Sequence, residues 1–376
     1  MKKITILSID GGGIRGILPA TILVYLEKKI QLLQNDPQLK IGDVFDLIAG
    51  TSTGGILAAL YMTPGDNGRP KYSAMDALGL YLDHGHEIFN RTLRQRILSL
   101  GGAVKEKFSD HNLTDLLKKY FGDTRLSDFV KPSLITSYDI TSRNAVFFTS
   151  VDARRHEGSN FYARDVARAT SAAPTYFAPA HIQSLDTLHH TLVDGGVFAN
   201  NPALCAYAEA LKIDFSTALP GCGKTTPVGA KEMFLVSLGT GSVKRSYHFE
   251  DFEHAGDLRW LEPVIDILMS GNSETVNYQL KSLYGTLSDQ DAKDYHRLEP
   301  TLLEASSEMD LATPENIAHL KDAGLKFVDD NIDLLDKIAA SVASNCALPA
   351  VKPSAAEAAA AQPASRQNTP IQTPAT

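Results

Sequence analysis

Ser52 lies two positions from a glycine on either side, in Gly50-Thr-Ser52-Thr-Gly54, and this G-x-S-x-G spacing can turn a serine hydroxyl into a nucleophile. The short apolar run Leu47-Ile-Ala49 before it reads as the end of a buried strand, and Ile56 to Tyr61 resumes as a helix. A serine on so tight a strand-to-helix turn is held in a strained conformation that pushes its hydroxyl out of the fold. The flanking glycines give the backbones room to pass closely. Amides of the first helical turn have no partners within the helix, so they can stabilise negative charge that develops beside the hydroxyl. The plain alternative is a small-residue turn between buried elements.

Other glycine-rich stretches compete for the function. Gly11-Gly-Gly13-Ile-Arg-Gly16 matches the dinucleotide fingerprint directly after a strand and before a helix, so a non-catalytic nucleotide-binding module is the rival reading. That fingerprint needs an acidic residue at the end of the next strand; here that strand ends in Gly50-Thr-Ser52, and Asp36 lies in the loop before it. Ala218-Leu-Pro-Gly-Cys-Gly223-Lys224-Thr225 is a near match to a phosphate-binding loop, but it follows a helix and runs into Pro227, so it reads as an irregular surface loop. The third reading gives the triple glycine to Ser52: the amides of Gly11, Gly12 and Gly13 form an oxyanion hole, and Arg15 pins the loop through carbonyl contacts.

A serine hydroxyl also needs a base. In the order Ser, Asp, His, the histidines after Asp194 are His248, His254, His296 and His319, none in a distinctive setting. Asp194 ends a strand and is followed by two glycines, which leaves its carboxylate facing the same crest as Ser52. Burial that raises its pKa towards neutrality lets a carboxylate act as base directly. A turn or helix-capping aspartate is the competing role.

The elements that hold these residues alternate. Ile4 to Ile9 reads as a buried strand, Leu18 to Leu33 as a helix, Val44 to Ala49 as the second strand, and Ile56 to Met62, Asp76 to Thr92 and Leu113 to Phe121 as helices. Ser133 to Ile140 and Asn144 to Ser150 are two strands joined by a polar turn, and Ala163 to Thr170 is helical. A strand runs into Asp194, a helix spans Pro202 to Ile213, and a strand spans Glu232 to Leu238. Helices follow at Trp260 to Met269 and at Pro314 to Ala343, the latter interrupted at Gly324. The expected fold class is α/β, a mostly parallel central sheet flanked by helices on both faces. Residues 1–346 form the folded domain, and the Ala- and Pro-rich 347–376 form a disordered tail.

A chain of 376 residues with 43% apolar content can build a substantial core, while a net charge of -8 and a pI near 5.8 argue against nucleic acid as partner. Arg91, Arg94 and Arg96 remain local basic contacts. Cys205, Cys222 and Cys346 share no metal-ligand spacing and form no even set, so neither a zinc site nor a disulfide framework is indicated, and a reducing cytoplasmic setting fits. The apolar start Ile4 to Ile9 is too short for export or for spanning a bilayer, and no other window is long enough, which leaves peripheral membrane contact.

Asp10-Gly-Gly-Gly13-Ile-Arg15-Gly16, Gly50-Thr-Ser52-Thr-Gly54-Gly55, Ala169-Thr-Ser-Ala-Ala-Pro174-Thr-Tyr-Phe177, Asp194-Gly195-Gly196 and Ser237-Leu-Gly-Thr-Gly241 closely resemble the patatins, plant lipid acyl hydrolases with bacterial relatives. Asp83-His-Gly-His-Glu-Ile-Phe89 and Glu308-Met-Asp310 extend the resemblance to about Leu325. It implies a Ser52 and Asp194 dyad instead of a triad, an oxyanion hole at Gly11 to Gly13, and hydrolysis of phospholipid or galactolipid esters through an acyl-serine. No cofactor is expected, and no metal is required, because nothing in the sequence supplies three oxygen ligands at a calcium-loop spacing. The loop from Asp214 to Lys231 and the tail match nothing in the family pattern.

Overall fold

The computed structural model describes residues 2–88, 110–221, 223–224, 227–241, 247–253 and 257–346. The expected tail, the basic residues Arg91, Arg94 and Arg96 and the histidine His254 lie outside the described residues.

The central strands are apolar on both sides, and a strand of that kind needs cover on both faces. Every residue of β1 (Ile4–Ile9) is buried, with Leu7 and Ile9 in one apolar cluster and Ile4 and Ile6 in a second. The same alternation runs through β2 (Leu47–Thr51) and β3 (Ser133–Asp139), where Ile48 and Ile135 face the first cluster and Leu47 and Leu134 the second. β4 (Asn144–Thr149), β5 (Ala180–Gln183), β6 (His189–Asp194), β7 (Met233–Leu238) and β8 (Tyr295–Leu298) complete the sheet. Its order is β5-β6-β3-β2-β1-β7-β8, with β4 pairing β3. β3, β2, β1, β7 and β8 run parallel; β4, β5 and β6 add the antiparallel flank.

The longer helices are α1 (Ile17–Gln34), α2 (Thr53–Met62), α3 (Ala74–Ile88), α4 (Asp110–Phe121), α5 (Ala163–Thr170), α6 (Ala203–Lys212), α7 (Asp257–Tyr284), α8 (Pro314–Asp330) and α9 (Ile332–Asn345). α1 to α5, α8 and α9 supply the first cluster, while α6 and the C-terminal half of α7 supply the second. The molecule is therefore an α/β sheet with helices on both faces.

Some boundaries depart from the sequence expectation. β2 begins at Leu47, not Val44, because Ile41–Val44 forms a helical turn and Asp46 turns back to accept hydrogen bonds from the Thr5 amide and hydroxyl. Gly324 does not interrupt a helix; α8 continues to Asp330. A Cβ at Gly324 would lie 2.9 Å from the Thr21 Cβ, so the glycine is what lets α8 approach α1 closely. The loop around Gly223 is not wholly on the surface: Gly221 and Gly223 are exposed, but Lys224 is buried and pairs with Asp46. β5 and β8 carry no apolar run and were not expected.

Parallel strands end on one edge, which gathers the site. Asp10 follows β1, Ser52 follows β2 and Thr240 lies just beyond β7. β6 arrives from the opposite direction and stops at the same level: Thr51 pairs with Thr136, and the next residue of β3, Ser137, pairs with Asp194.

Candidate active site

Ser52 occupies the sharp turn into α2 at φ 54 and ψ -123, a left-handed conformation that is strained for any residue with a side chain. Its flanking glycines have steric causes. A Cβ at Gly50 would fall 2.1 Å from the Gly54 carbonyl oxygen, and one at Gly54 would fall 2.1 Å from the Ile9 carbonyl oxygen. Hydrogen bonds hold the turn: the Ser52 amide donates to Thr170 Oγ1 at 2.8 Å, whose hydroxyl donates to the Thr136 carbonyl at 2.7 Å. Thr51 is tied at 2.6 Å to the Ala199 carbonyl.

Asp194 is buried at the end of β6. One carboxylate oxygen accepts the Gly196 amide at 2.7 Å, and the Ser52 side chain lies beside the carboxylate. Burial pushes its pKa up to about 7, and the Ser52 and Gly196 groups beside it offset only part of the rise. A carboxylate poised at neutrality beside a strained serine can hold that serine's proton.

The glycine loop packs between β7 and Met309. Gly11 was expected to offer its amide to an oxyanion, but that amide donates to the Asn200 carbonyl at 3.1 Å. The Gly12 and Gly13 amides have no partner among the described residues. Thr240 Oγ1 donates to the Gly11 carbonyl at 2.7 Å, and a Cβ at Gly12 would lie 2.2 Å from that same hydroxyl. Gly13 needs its positive φ of 60, and a Cβ there would strike the Met309 carbonyl at 2.1 Å. Arg15 lies against the Gly12 and Gly241 carbonyls at 3.4 Å, and burial lowers its guanidinium pKa. The Ile14 amide donates to the Met309 carbonyl at 2.9 Å, so one amide of this helix start is already partnered.

An open cavity lies over the pair, and Ile56, Tyr81, Ile88, Leu113, Phe177 and Leu268 are among the residues giving it an apolar lining. That shape suits a hydrocarbon chain. A second cavity, sharing Met269 and Met309 with the first, is lined by Asp10, Arg15, Arg297 and Glu299.

Sequence reading did not assign several supporting residues. Asp10 is buried and gripped by Arg297 at 2.9 and 2.7 Å, with Ser273 adding a hydrogen bond at 3.2 Å. Burial still raises the Asp10 pKa to about 6 against the pull of Arg297. Thr240 had a signal in its Gly-Thr-Gly setting; Arg297, in a short strand without periodicity, had none. Among the described histidines, His248, His296 and His319 do not line the cavity, and burial lowers the His296 pKa to about 4. Among the described residues, no cluster of His, Cys, Asp and Glu could hold a metal ion.

Fold and site together describe an α/β protein with an elbow serine and a buried carboxylate beside an apolar cavity. The chain belongs to the patatin family: the family model described as patatin-like phospholipase matches residues 7–207. Patatin-like protein 2 of Oryza sativa subsp. japonica is 34% identical over 352 residues, covering 89% of this chain and 86% of that protein. Patatin-like protein 1 of Arabidopsis thaliana is 34% identical over 346 residues, covering 88% and 82%. A Solanum tuberosum relative named Probable inactive patatin-3-Kuras 1 is 32% identical and covers 88% of each chain. Membership therefore includes a protein named as inactive, and the catalytic reading has to rest on the site itself.

Proposed function

We propose that this protein hydrolyses lipid carboxylic esters through a Ser52 and Asp194 dyad. Asp194 takes the Ser52 proton, and the serine oxygen attacks the ester carbonyl. The Gly12 and Gly13 amides stabilise the resulting oxyanion. Collapse expels the alcohol, which takes the proton back from Asp194, and leaves an acyl-serine. Water, deprotonated by Asp194, then releases the fatty acid and regenerates the serine. The reading places Gly11 as a loop anchor and Arg15 as a brace, and it needs no cofactor.

One observation carries the proposal. Ser52 stands beside a buried carboxylate whose pKa is pushed up to about 7, and both line one apolar cavity. The family description, patatin-like phospholipase, supports phospholipids as substrates; galactolipids come from the family resemblance. The hydrolase unit is residues 1–346, since Val342, Ala343 and Cys346 still belong to the core.

The test is fatty-acid release from a panel of phospholipids and galactolipids, with product mass read for wild type and for Ser52→Ala. Release by the wild type and none by the variant is expected. Equal release by both would sink the assignment of Ser52.

A further inference from the structure

The N-terminal half of α7 is apolar on two sides. Ile265, Leu268 and Met269 line the cavity over Ser52. Trp260, Val264, Ile267 and Leu268 follow the i, i+4, i+7, i+8 spacing that marks one helical face, and all four are exposed, Leu268 by 52%. Such a stripe ordinarily meets core, as Val276, Leu280 and Tyr284 do further along the same helix. An adjoining helical turn, Phe249–Phe252, leaves Phe249 70% exposed. Aromatic packing braces the two pieces: the Phe252 and Trp260 rings lie 4.6 Å apart, Tyr247 packs edge-on to Phe252 at 5.5 Å, and the Tyr247 hydroxyl donates to Asp266 at 2.9 Å.

We infer that this face, Phe249 with the outer stripe of α7, rests on a lipid surface of low net negative charge and delivers the substrate to Ser52. The inference rests on the lipid-hydrolase reading above. Leu268 is both exposed and part of the cavity wall, so an acyl chain passes from membrane to cavity along continuous apolar surface. Trp, Tyr and Phe are the side chains that sit well at a membrane interface. Among the described residues no helix is long and apolar enough to cross a membrane, so the contact lies in the interface plane. Charge decides which surface. Glu250, Glu253 and Asp266 are exposed in this segment, so an anionic leaflet repels it and a zwitterionic or uncharged one does not.

Trp260 is the only tryptophan in the chain, so intrinsic fluorescence reports this face alone. Full-length Ser52→Ala, which spares the vesicles from hydrolysis, is titrated with phosphatidylcholine vesicles, with vesicles containing phosphatidylglycerol, and with vesicles carrying brominated acyl chains. The expected results are a blue shift on phosphatidylcholine, quenching by bromine, and weaker binding as phosphatidylglycerol is added. Val264→Asp in the Ser52→Ala background weakens vesicle binding about tenfold. In the wild-type background it leaves hydrolysis of a water-soluble short-chain ester unchanged, which also shows that the variant folds. Emission indifferent to phosphatidylcholine, or binding that tightens with anionic lipid, overturns the inference. So does a sedimentation mass that falls from dimer to monomer in Val264→Asp, which assigns the face to a second copy of the chain. Vesicle binding by a protein that hydrolyses no ester leaves the surface standing and removes the hydrolase reading. Ester hydrolysis without a vesicle response does the reverse.

Discussion

At the residue scale the central fact is electrostatic. A carboxylate with an ordinary pKa of 3.8 is too weak a base for a serine hydroxyl, and burial lifts Asp194 to about 7. The base must be ionised to act, so kcat/KM on a soluble ester should rise with pH through about 7 and level off above it. An acid limb near 4 would contradict the assignment. The same burial sets stability. The folded state holds the Asp194 proton more tightly than the unfolded chain, so stability contributed by the neutral acid is present below pH 3.8 and is lost as pH rises to about 7. Asp194→Asn should therefore abolish esterase activity and raise stability at pH 8 by on the order of a few kcal/mol, read as a higher melting temperature, with little change at pH 4. Gly12→Ala acts through Thr240, whose hydroxyl stands 2.2 Å from the added carbon. Displacing an oxyanion donor typically costs about 3 kcal/mol, so kcat should fall on the order of a hundredfold while KM holds. Loss of binding with kcat intact would show that the loop holds substrate and does not stabilise charge.

At the element scale the glycine loop depends on β8, the strand that sequence reading missed. Arg297 reaches across the sheet edge to Asp10, and the Gly239 amide donates to the Leu298 carbonyl at 2.8 Å, so the ends of β1, β7 and β8 are locked together. Truncating one member of a buried ion pair strands the other charge. Arg297→Met should cost about 3–5 kcal/mol and lower the melting temperature, and Arg297→Met with Asp10→Asn should recover most of that loss. A double variant no more stable than the single one would show that packing of Arg297 matters more than its charge. The reason β8 was illegible is physical. Tyr295-His-Arg-Leu298 does not alternate, Arg297 serves Asp10 and Glu299 while His296 packs on Phe234, and Asp10 lies 287 residues from Arg297 in sequence. β1 and β2 were legible because parallel strands buried on both faces write continuous apolar runs. Gly324 misled because a glycine that allows close helix packing looks, in a single sequence, like one that breaks a helix.

At the scale of the whole molecule, the parallel edge turns distant segments into one site, and that convergence was only partly visible in the chain. Ser52 announced itself because its steric demands fall on neighbours two positions away, and Asp194 because a strand end followed by glycines leaves a carboxylate exposed to the crest. Asn200, Thr170 and Thr136 contribute a carbonyl or a single hydroxyl, and such contacts leave no spacing to read. Truncation after Cys346 should leave the melting temperature and soluble-ester hydrolysis unchanged, since the described core closes with α9; a fall in melting temperature would place part of 347–376 against the fold. The account stands most directly on the covalent intermediate. Intact-protein mass spectrometry after rapid acid quench with a slowly hydrolysed ester should show one acyl group on wild type, mapped to the Ser52 peptide, and none on Ser52→Ala or Asp194→Asn. Turnover with no acyl group on Ser52, or full acylation of Asp194→Asn, would contradict it.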